Sequence, residues 1–191
     1  METNEFFEVG KRLFVEGKMK ESIESFTRAL ESGYDPKISH LSRGAAYIKL
    51  KESDKALEDF EKVIELDKSN ARVYYYRGMA NVQKKDFEKA TADFGRAIQL
   101  KPEDAASIFA RAASYIELGQ LEKAAEDIRN AANYLAAAVQ GYASTIGDRT
   151  HLDKVFAVIE GERRENALEI NEDELDTIKK WLTGGISKEE P

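Results

Sequence analysis

Small and bulky apolar residues recur along most of this chain with a period of 34 residues and no gaps. A small column reads Gly10, Gly44, Gly78 and Ala112, a second reads Ser22, Ala56, Ala90 and Ala124, and a bulky column reads Phe26, Phe60, Phe94 and Ile128. Small residues let one helix lie close to another, and bulky residues fill the space between helix pairs. Apolar residues inside each unit follow helical spacing, so the pattern predicts a repeat of two packed helices.

The pattern also predicts where the helices begin and end. We expect helices near residues 3–16, 19–32, 37–50, 53–66, 71–84, 87–100 and 105–118, and one that begins at 121. The breaks between them fall at polar or glycine-containing segments such as Glu16-Gly17-Lys18 and Leu118-Gly119-Gln120. No unit shows the alternation of a strand, so the expected fold class is all-α.

Two charged columns accompany the apolar ones. Arg43, Arg77 and Arg111 share one column, and Asp59, Asp93 and Asp127 follow sixteen residues later. The first unit lacks both charges and has Val9 and Ser25 instead. Because both are absent together, we predict a bidentate pair within each of the other three hairpins.

These units resemble the tetratricopeptide repeat family. The matching residues are Arg43, Gly44, Tyr47, Ala56 and Phe60 in the second unit, and Arg77, Gly78, Ala90, Phe94 and Pro102 in the third. Single columns depart from the family pattern at Ser22, Lys68 and Asn81. The resemblance implies a right-handed superhelical solenoid of about four helix-turn-helix hairpins, at 3–36, 37–70, 71–104 and 105–138, within a repeat region 1–136.

In this family the first helices of the hairpins line a concave surface that binds other polypeptides. The positions implied here are Phe7, Lys11, Phe14, Leu41, Ala45, Ile48, Arg72, Tyr75, Met79, Val82, Phe109, Ala113 and Ile116. This set is more apolar than a solvent-facing surface should be, which is typical of a partner site. The alternative is that part of the set packs between neighbouring first helices.

Chaperone-binding members of the family clamp a partner's terminal carboxylate with Lys, Asn and Arg side chains. The corresponding positions here are Phe7, Lys11, Ser42, Arg72 and Tyr76. The clamp is therefore absent, and we expect the groove to hold an apolar segment, helical or extended, of a protein partner.

Beyond the fourth unit, the sequence predicts an extended helix and C-terminal capping helices over residues 137–185. The last helix is expected to begin at Asn171 with a capping box to Glu174, and its apolar face includes Trp181. It is expected to cap the repeat stack or, alternatively, to occupy a groove of the same or a neighbouring molecule. Residues 186–191 are predicted to be a disordered tail.

Composition excludes several chemistries. The chain has 191 residues, no cysteine, two isolated histidines and a net charge of -7, so we expect no metal, no cofactor and no nucleic-acid partner. Residues 160–191 carry ten acidic and five basic side chains, which accounts for -5 of that charge. Apolar runs are too short to span a membrane, and the N-terminus lacks a signal pattern, so a cytoplasmic location is expected.

Neither histidine has companions at catalytic spacing, and no phosphate-binding motif occurs. We therefore expect a non-catalytic adaptor that binds a partner peptide or helix along its groove. The alternative is a structural protein that forms homodimers or larger homo-oligomers through the groove or the C-terminal helices.

Overall fold

A computed structural model describes residues 3–130 of the chain, with side chains from Glu5 onward. The helices are α1 (Thr3–Val15), α2 (Met19–Glu31), α3 (Pro36–Lys49), α4 (Ser53–Leu66), α5 (Ala71–Gln83), α6 (Phe87–Leu100) and α7 (Ala105–Glu117). Residues 121–130 are helical as well, and no strand occurs between residues 3 and 130. The predicted helices are therefore confirmed to within a residue at each end. The predictions for residues 137–185 and 186–191 lie outside the described residues.

The chain divides into two compact units, residues 1–107 and 108–191. In the first unit, α1 packs on α2, α3 on α4 and α5 on α6, so that three antiparallel hairpins follow one another. Successive hairpins are joined by contacts of α2 with α3 and of α4 with α5. In the second unit, Arg111 of α7 pairs with Asp127 of the helix that includes residues 121–130, as in a fourth hairpin. The expected all-α architecture of consecutive helical hairpins is confirmed.

Polar side chains cap the N-termini of three helices, α3, α5 and α6, where the repeat places a break. Asp35 accepts hydrogen bonds from the backbone N–H groups of Lys37 and Ile38, with Pro36 in the first turn of α3. Asn70 caps α5 and Asp86 caps α6 in the same way. Each cap satisfies a donor that the helix itself cannot use, so these side chains fix the residue at which each helix begins.

The turn inside each hairpin requires one residue with positive φ. This residue is Gly17 in the first hairpin, Lys51 in the second, Lys85 in the third and Gly119 in the fourth, with φ between 60° and 77°. Such a conformation is free of strain for glycine but costs an L-residue with a Cβ atom about 1 kcal/mol. Two hairpins therefore carry a small strain that the other two avoid.

Glycine and phenylalanine columns interlock inside each hairpin. A Cβ atom at Gly10, Gly44 or Gly78 would lie 2.5–2.7 Å from the ring of Phe26, Phe60 or Phe94, respectively. The three rings are at most 1% exposed, so they cannot swing outward without displacing the surrounding core. In the first hairpin, Ser22 strengthens the close approach because its hydroxyl donates to Gly10 O at 2.9 Å. The fourth hairpin has Ala112 with Ile128, a larger first residue opposite a smaller second one.

We predict that Gly44→Ala destabilises the protein by up to about 2 kcal/mol. Alanine gains about 1 kcal/mol of helix propensity over glycine, but overpacking a full core costs about 1–3 kcal/mol, and here the added atom meets the Phe60 ring. The double variant Gly44→Ala/Phe60→Ile copies the residue pair of the fourth hairpin. Its loss in free energy of unfolding should be smaller than the sum of the losses in the two single variants. Urea unfolding of the four proteins measures this coupling, and strict additivity would contradict the interlock.

We predict that Lys85→Gly stabilises the protein by about 0.5–1 kcal/mol. The change removes the strain of a positive φ, and the added freedom of glycine in the unfolded chain offsets part of the gain. Lys85→Ala is the matched control, because it removes the same side chain but keeps a Cβ atom. Equal thermal midpoints for the two variants would show that the turn conformation is not the cause.

Candidate functional site

The first helices form the inner side of the unit at residues 1–107. Helices α1 and α3 approach each other, as do α3 and α5, with Cα atoms within 8 Å. No second helix approaches another second helix to that distance in the part of this unit that the structure describes. Because the first helices lie closer together than the second helices, the row of hairpins bends toward the first-helix side. Helices α3 and α5, which carry most of the residues predicted for the groove, therefore lie on the concave side of this unit.

Most of the predicted groove residues of α3 and α5 are partly exposed. Leu41, Ile48 and Tyr75 pack with one edge against the buried cluster around Phe60. The others are half-buried, as for Ala45, Met79 and Val82, or fully exposed, as for Arg72. The inner face of these two helices thus offers an apolar strip that the core supports from below.

The first hairpin contributes less surface than its sequence suggests. Phe7 is only 7% exposed, because its ring packs against Phe26 at 5.3 Å and Tyr34 at 4.9 Å between centroids. Phe7 therefore belongs to the core of its own hairpin, where its ring contacts come from α2 and from the segment that follows α2. Lys11 is exposed and pairs with Glu8 at 2.9 Å, and Phe14 is half-buried.

The remaining predicted residues lie in the second unit. Phe109, Ala113 and Ile116 are half-buried on α7. They keep the helical spacing of the corresponding residues on α3 and α5.

An aromatic cluster on α5 extends the apolar strip beyond the predicted set. Tyr76 stacks on Phe60 with 6.0 Å between centroids and meets Tyr75 edge-on at 5.4 Å. Arg72 lies over the Tyr76 ring, 5.6 Å from its centroid, and donates to the Tyr76 hydroxyl at 3.4 Å. Tyr76 was named from the sequence only because it occupies a position of the carboxylate clamp without being a clamp residue. The run Tyr74-Tyr75-Tyr76 was the signal in the sequence that could have indicated an aromatic cluster. Burial, with smaller contributions from Tyr76 and Asp104, raises the pKa of Tyr75, so its hydroxyl stays neutral.

The three predicted Arg–Asp pairs are confirmed. Nη2 of Arg43, Arg77 and Arg111 lies 2.7, 2.6 and 2.7 Å from the carboxylate of Asp59, Asp93 and Asp127, and Nε of each arginine donates to the same carboxylate. The aspartates are 5–6% exposed and the arginines 19–27% exposed. Each pair thus joins the two helices of one hairpin near the surface of the core.

Electrostatics raise the pKa of the arginine in each of these pairs. The hydrogen bond to Asp59 raises the pKa of Arg43, and the bond to Asp127 raises that of Arg111, although burial opposes both shifts. For Arg77, burial lowers the pKa, but the bonds to Asp93 outweigh it and the net shift is upward. A raised arginine pKa contributes stability at every pH below the ordinary arginine value and loses it only above that value. The arginine side of the pairs is therefore insensitive to pH near neutrality.

Two of the pairs recruit further side chains that the sequence did not single out. His40 Nδ1 lies 2.7 Å from Asp59 Oδ1, and Arg43 Nη1 donates to Thr27 at 3.0 Å, which links the second hairpin to α2. Asn81, in the slot where the family pattern has an aromatic residue, donates to Asp93 at 2.9 Å. These contacts explain why His40 and Asn81 are polar at positions that face the core.

An open cleft of about 550 Å³ adjoins the Asp59 pair. It is lined by His40, Arg43, Glu58, Asp59, Glu61, Lys62 and Glu65. Both carboxylate oxygens of Asp59 accept hydrogen bonds from Arg43, and His40 Nδ1 lies 2.7 Å from Oδ1, so this carboxylate is engaged in joining α3 and α4. Within the described residues, no group of three His, Asp or Glu side chains is arranged to hold a metal ion. No helix in that part of the chain is both long and apolar enough to cross a membrane.

Comparison with known proteins agrees with this geometry. Residues 38–70 and 71–104, the second and third hairpins, each match the sequence model described as tetratricopeptide repeat. Residues 38–104 are therefore two tetratricopeptide repeats, and the consecutive helical hairpins of the chain share the fold of solved structures from that family. No curated protein sequence matches the chain.

Solved structures share the fold at low sequence identity. A MamA fragment from Desulfovibrio magneticus RS-1 superposes with a TM-score of 0.67 at 20% identity, covering 71% of this chain and 77% of that one. YrrB, described as a TPR protein with an unusual peptide-binding site, gives 0.62 at 20% identity, covering 70% and 69%. The first TPR of Spaghetti (RPAP3), bound to an HSP90 peptide, gives 0.52 at 24% identity, covering 66% and 93%.

We predict that Arg111→Val costs about 2 kcal/mol of stability, because it leaves the Asp127 carboxylate nearly buried without its guanidinium. The fourth hairpin suits this test because, among residues 5–130, Arg111 is the only side chain that forms a hydrogen bond or ion pair with Asp127. Arg111→Val/Asp127→Ser copies Val9 and Ser25 of the first hairpin and should be more stable than Arg111→Val alone. Chemical denaturation measures both, and a double variant less stable than the single one would argue against a paired role.

Proposed function

We propose that this protein is a non-catalytic adaptor that holds a peptide or helix of a partner protein on the inner face of its first helices. The observation that carries the proposal is the apolar strip on α3 and α5, where Leu41, Ile48 and Tyr75 are anchored in the core yet partly exposed. Exposed apolar strips supported by a rigid core are where partner side chains gain most from burial. Its cytoplasmic location, expected from the sequence, belongs to the same proposal.

The strip is suited to hold a chain rather than to transform a small molecule. The two arginines at the centres of these helices are already paired within the hairpins, Arg43 with Asp59 and Arg77 with Asp93. The residues left facing the groove are mainly alkyl and aromatic groups, which provide affinity through burial but offer neither a nucleophile nor a proton carrier. Among the solved structures with the same fold, YrrB is described as having a peptide-binding site and the first TPR of Spaghetti as bound to a peptide. Both support a peptide as the occupant.

The remaining groove residues extend the proposal along the chain. Lys11 and Phe14 would border the strip on α1, while Phe7 would support it from within the core. Phe109, Ala113 and Ile116 offer a similar half-buried set on α7 within their own unit.

We predict that Ala45→Gln/Met79→Gln abolishes binding while leaving the fold intact. Both positions are half-buried on the inner face, and glutamine has good helix propensity but buries a polar amide where the partner would place an apolar side chain. Selection of random twelve-residue peptides on the immobilised full chain, followed by anisotropy titration, provides the ligands. Lys62→Gln on the outer face of α4 is the matched control and should bind like the unchanged protein.

Selected peptides that bind Ala45→Gln/Met79→Gln as tightly as the unchanged protein would refute the proposal that the inner face of α3 and α5 is the binding site. Light scattering on the full chain examines the alternative, because a mass that rises with concentration and falls in Ala45→Gln/Met79→Gln would assign the same face to self-association.

A further inference from the structure

Charge is distributed unequally between the two kinds of helix in the central hairpins. Helix α3 carries Lys37, Arg43 and Lys49 and no acidic residue, and α5 carries Arg72 and Arg77 and no acidic residue. Helix α4, between them in sequence, carries five acidic and two basic residues. The inner side of these hairpins is therefore positive in a chain whose net charge is -7.

Among the basic residues of α3 and α5, Lys37, Lys49 and Arg72 have no ion pair within residues 5–130, and two of these charges, those of Lys49 and Arg72, flank the predicted groove residues. Asp59 and Asp93 neutralise Arg43 and Arg77 from the facing second helices. Lys49 and Arg72 are exposed, and neither has a carboxylate within ion-pair distance among residues 5–130. On α1, by contrast, Lys11 is already paired with Glu8. The positive surplus is thus confined to the strip on α3 and α5.

The two free charges lie at opposite ends of that strip. Lys49 is the last residue of α3, whereas Arg72 is the second residue of α5. Both helices are first helices, each antiparallel to α4, so they run in the same direction. The residue of α5 that corresponds to Lys49 is Gln83, one repeat later, so Lys49 is level with Gln83 along the helix axis. Gln83 is eleven residues beyond Arg72, and at 1.5 Å per residue the two charges are about 16 Å apart along that axis. Ala45, Ile48, Tyr75 and Met79 fall between them.

Arg72 is also supported by the aromatic cluster while keeping donors for a carboxylate. Its guanidinium lies over the Tyr76 ring, and Tyr76 in turn stacks on the fully buried Phe60. Its Nη2 donates to the Tyr76 hydroxyl at 3.4 Å, and because a guanidinium has five N–H donors, four remain for a partner. Less rotamer entropy is lost on binding because the side chain is already supported.

We propose that the occupant of this groove is an acidic segment of a partner protein in which carboxylate side chains flank an apolar centre. This inference rests on the proposed function and specifies its ligand class. In an extended segment, about 16 Å corresponds to roughly five residues, and in a helix to about eleven. The carboxylates that pair with Lys49 and Arg72 come from side chains inside the segment. A free C-terminus is not required, because the positions of a terminal carboxylate clamp hold Phe7, Lys11, Ser42, Arg72 and Tyr76.

The test uses the full chain and a library of random twelve-residue peptides fused at both ends, so that no terminal carboxylate is present. We expect enriched peptides to carry acidic residues on both sides of two or more apolar residues. Selected peptides are then titrated against the unchanged protein, Lys49→Gln, Arg72→Gln and the double variant, with Lys62→Gln as a control that removes one positive charge from the outer face. Circular dichroism melts check that each variant is folded.

The double variant should bind the selected peptides about tenfold more weakly, since an exposed ion pair contributes up to about fivefold. Raising the salt concentration should weaken binding to the unchanged protein more than binding to the double variant, because salt screens exposed charges. Lys62→Gln should bind as the unchanged protein does.

Different failures have different meanings. Neutral or basic peptides that lose affinity for Ala45→Gln/Met79→Gln would overturn the acidic ligand and leave the groove as the binding site. The same conclusion follows if acidic peptides bind the double charge variant and the unchanged protein equally well at every salt concentration. If no selected peptide depends on Ala45 and Met79, the proposed function fails and the acidic ligand fails with it.

Discussion

The distance between the two helices of a hairpin depends on a single contact, a glycine on the first helix beneath a phenylalanine ring on the second. At Gly44 the space for a Cβ atom is occupied by Phe60, and Gly10 and Gly78 are in the same position relative to Phe26 and Phe94. Because the glycine has no side chain, the ring can bridge the helices and remain fully buried. The other buried columns, including Ala56 and Ala90, can then be small, since the ring has already filled the central space.

The same interlock determines which residues remain for function. The glycine side of each first helix is turned to its own hairpin, and residues three or four positions away along the helix lie at the edge of that contact. Leu41, Ile48 and Tyr75 occupy such positions, so each packs one edge on the Phe60 cluster and leaves the other partly exposed. The apolar strip is therefore a by-product of how the core is built, and its rigidity comes from the core.

Charge is used in two separate ways on this scaffold. The Arg–Asp pairs lie across each hairpin and satisfy nearly buried carboxylates, which makes them part of the structure. Lys49 and Arg72 are exposed at the ends of the strip, where they are available to a partner. A positive inner side in an acidic protein favours approach by an acidic segment at this face, and the surrounding negative charge disfavours it elsewhere.

The sequence by itself determined the repeat, the helices and the charge pairs. The 34-residue period placed Gly44 opposite Phe60 and Arg43 opposite Asp59, because a fixed offset on two antiparallel helices brings the same positions together in every hairpin. Helix ends were predictable to within a residue since turns and caps such as Asp35 and Asn70 act locally.

Tertiary structure alone decided how much of each side chain remains exposed. Phe7 occupies the same column as Leu41 and Tyr75, yet it is buried, because Tyr34 from the end of its own hairpin covers its ring. Two further contacts depend on residues that the corresponding positions of the other hairpins do not carry. These are the contact of His40 with Asp59 and the stack of Arg72, Tyr76 and Phe60. A repeat pattern records what every hairpin shares, whereas exposure depends on the particular neighbours of each residue, and these differ from one hairpin to the next.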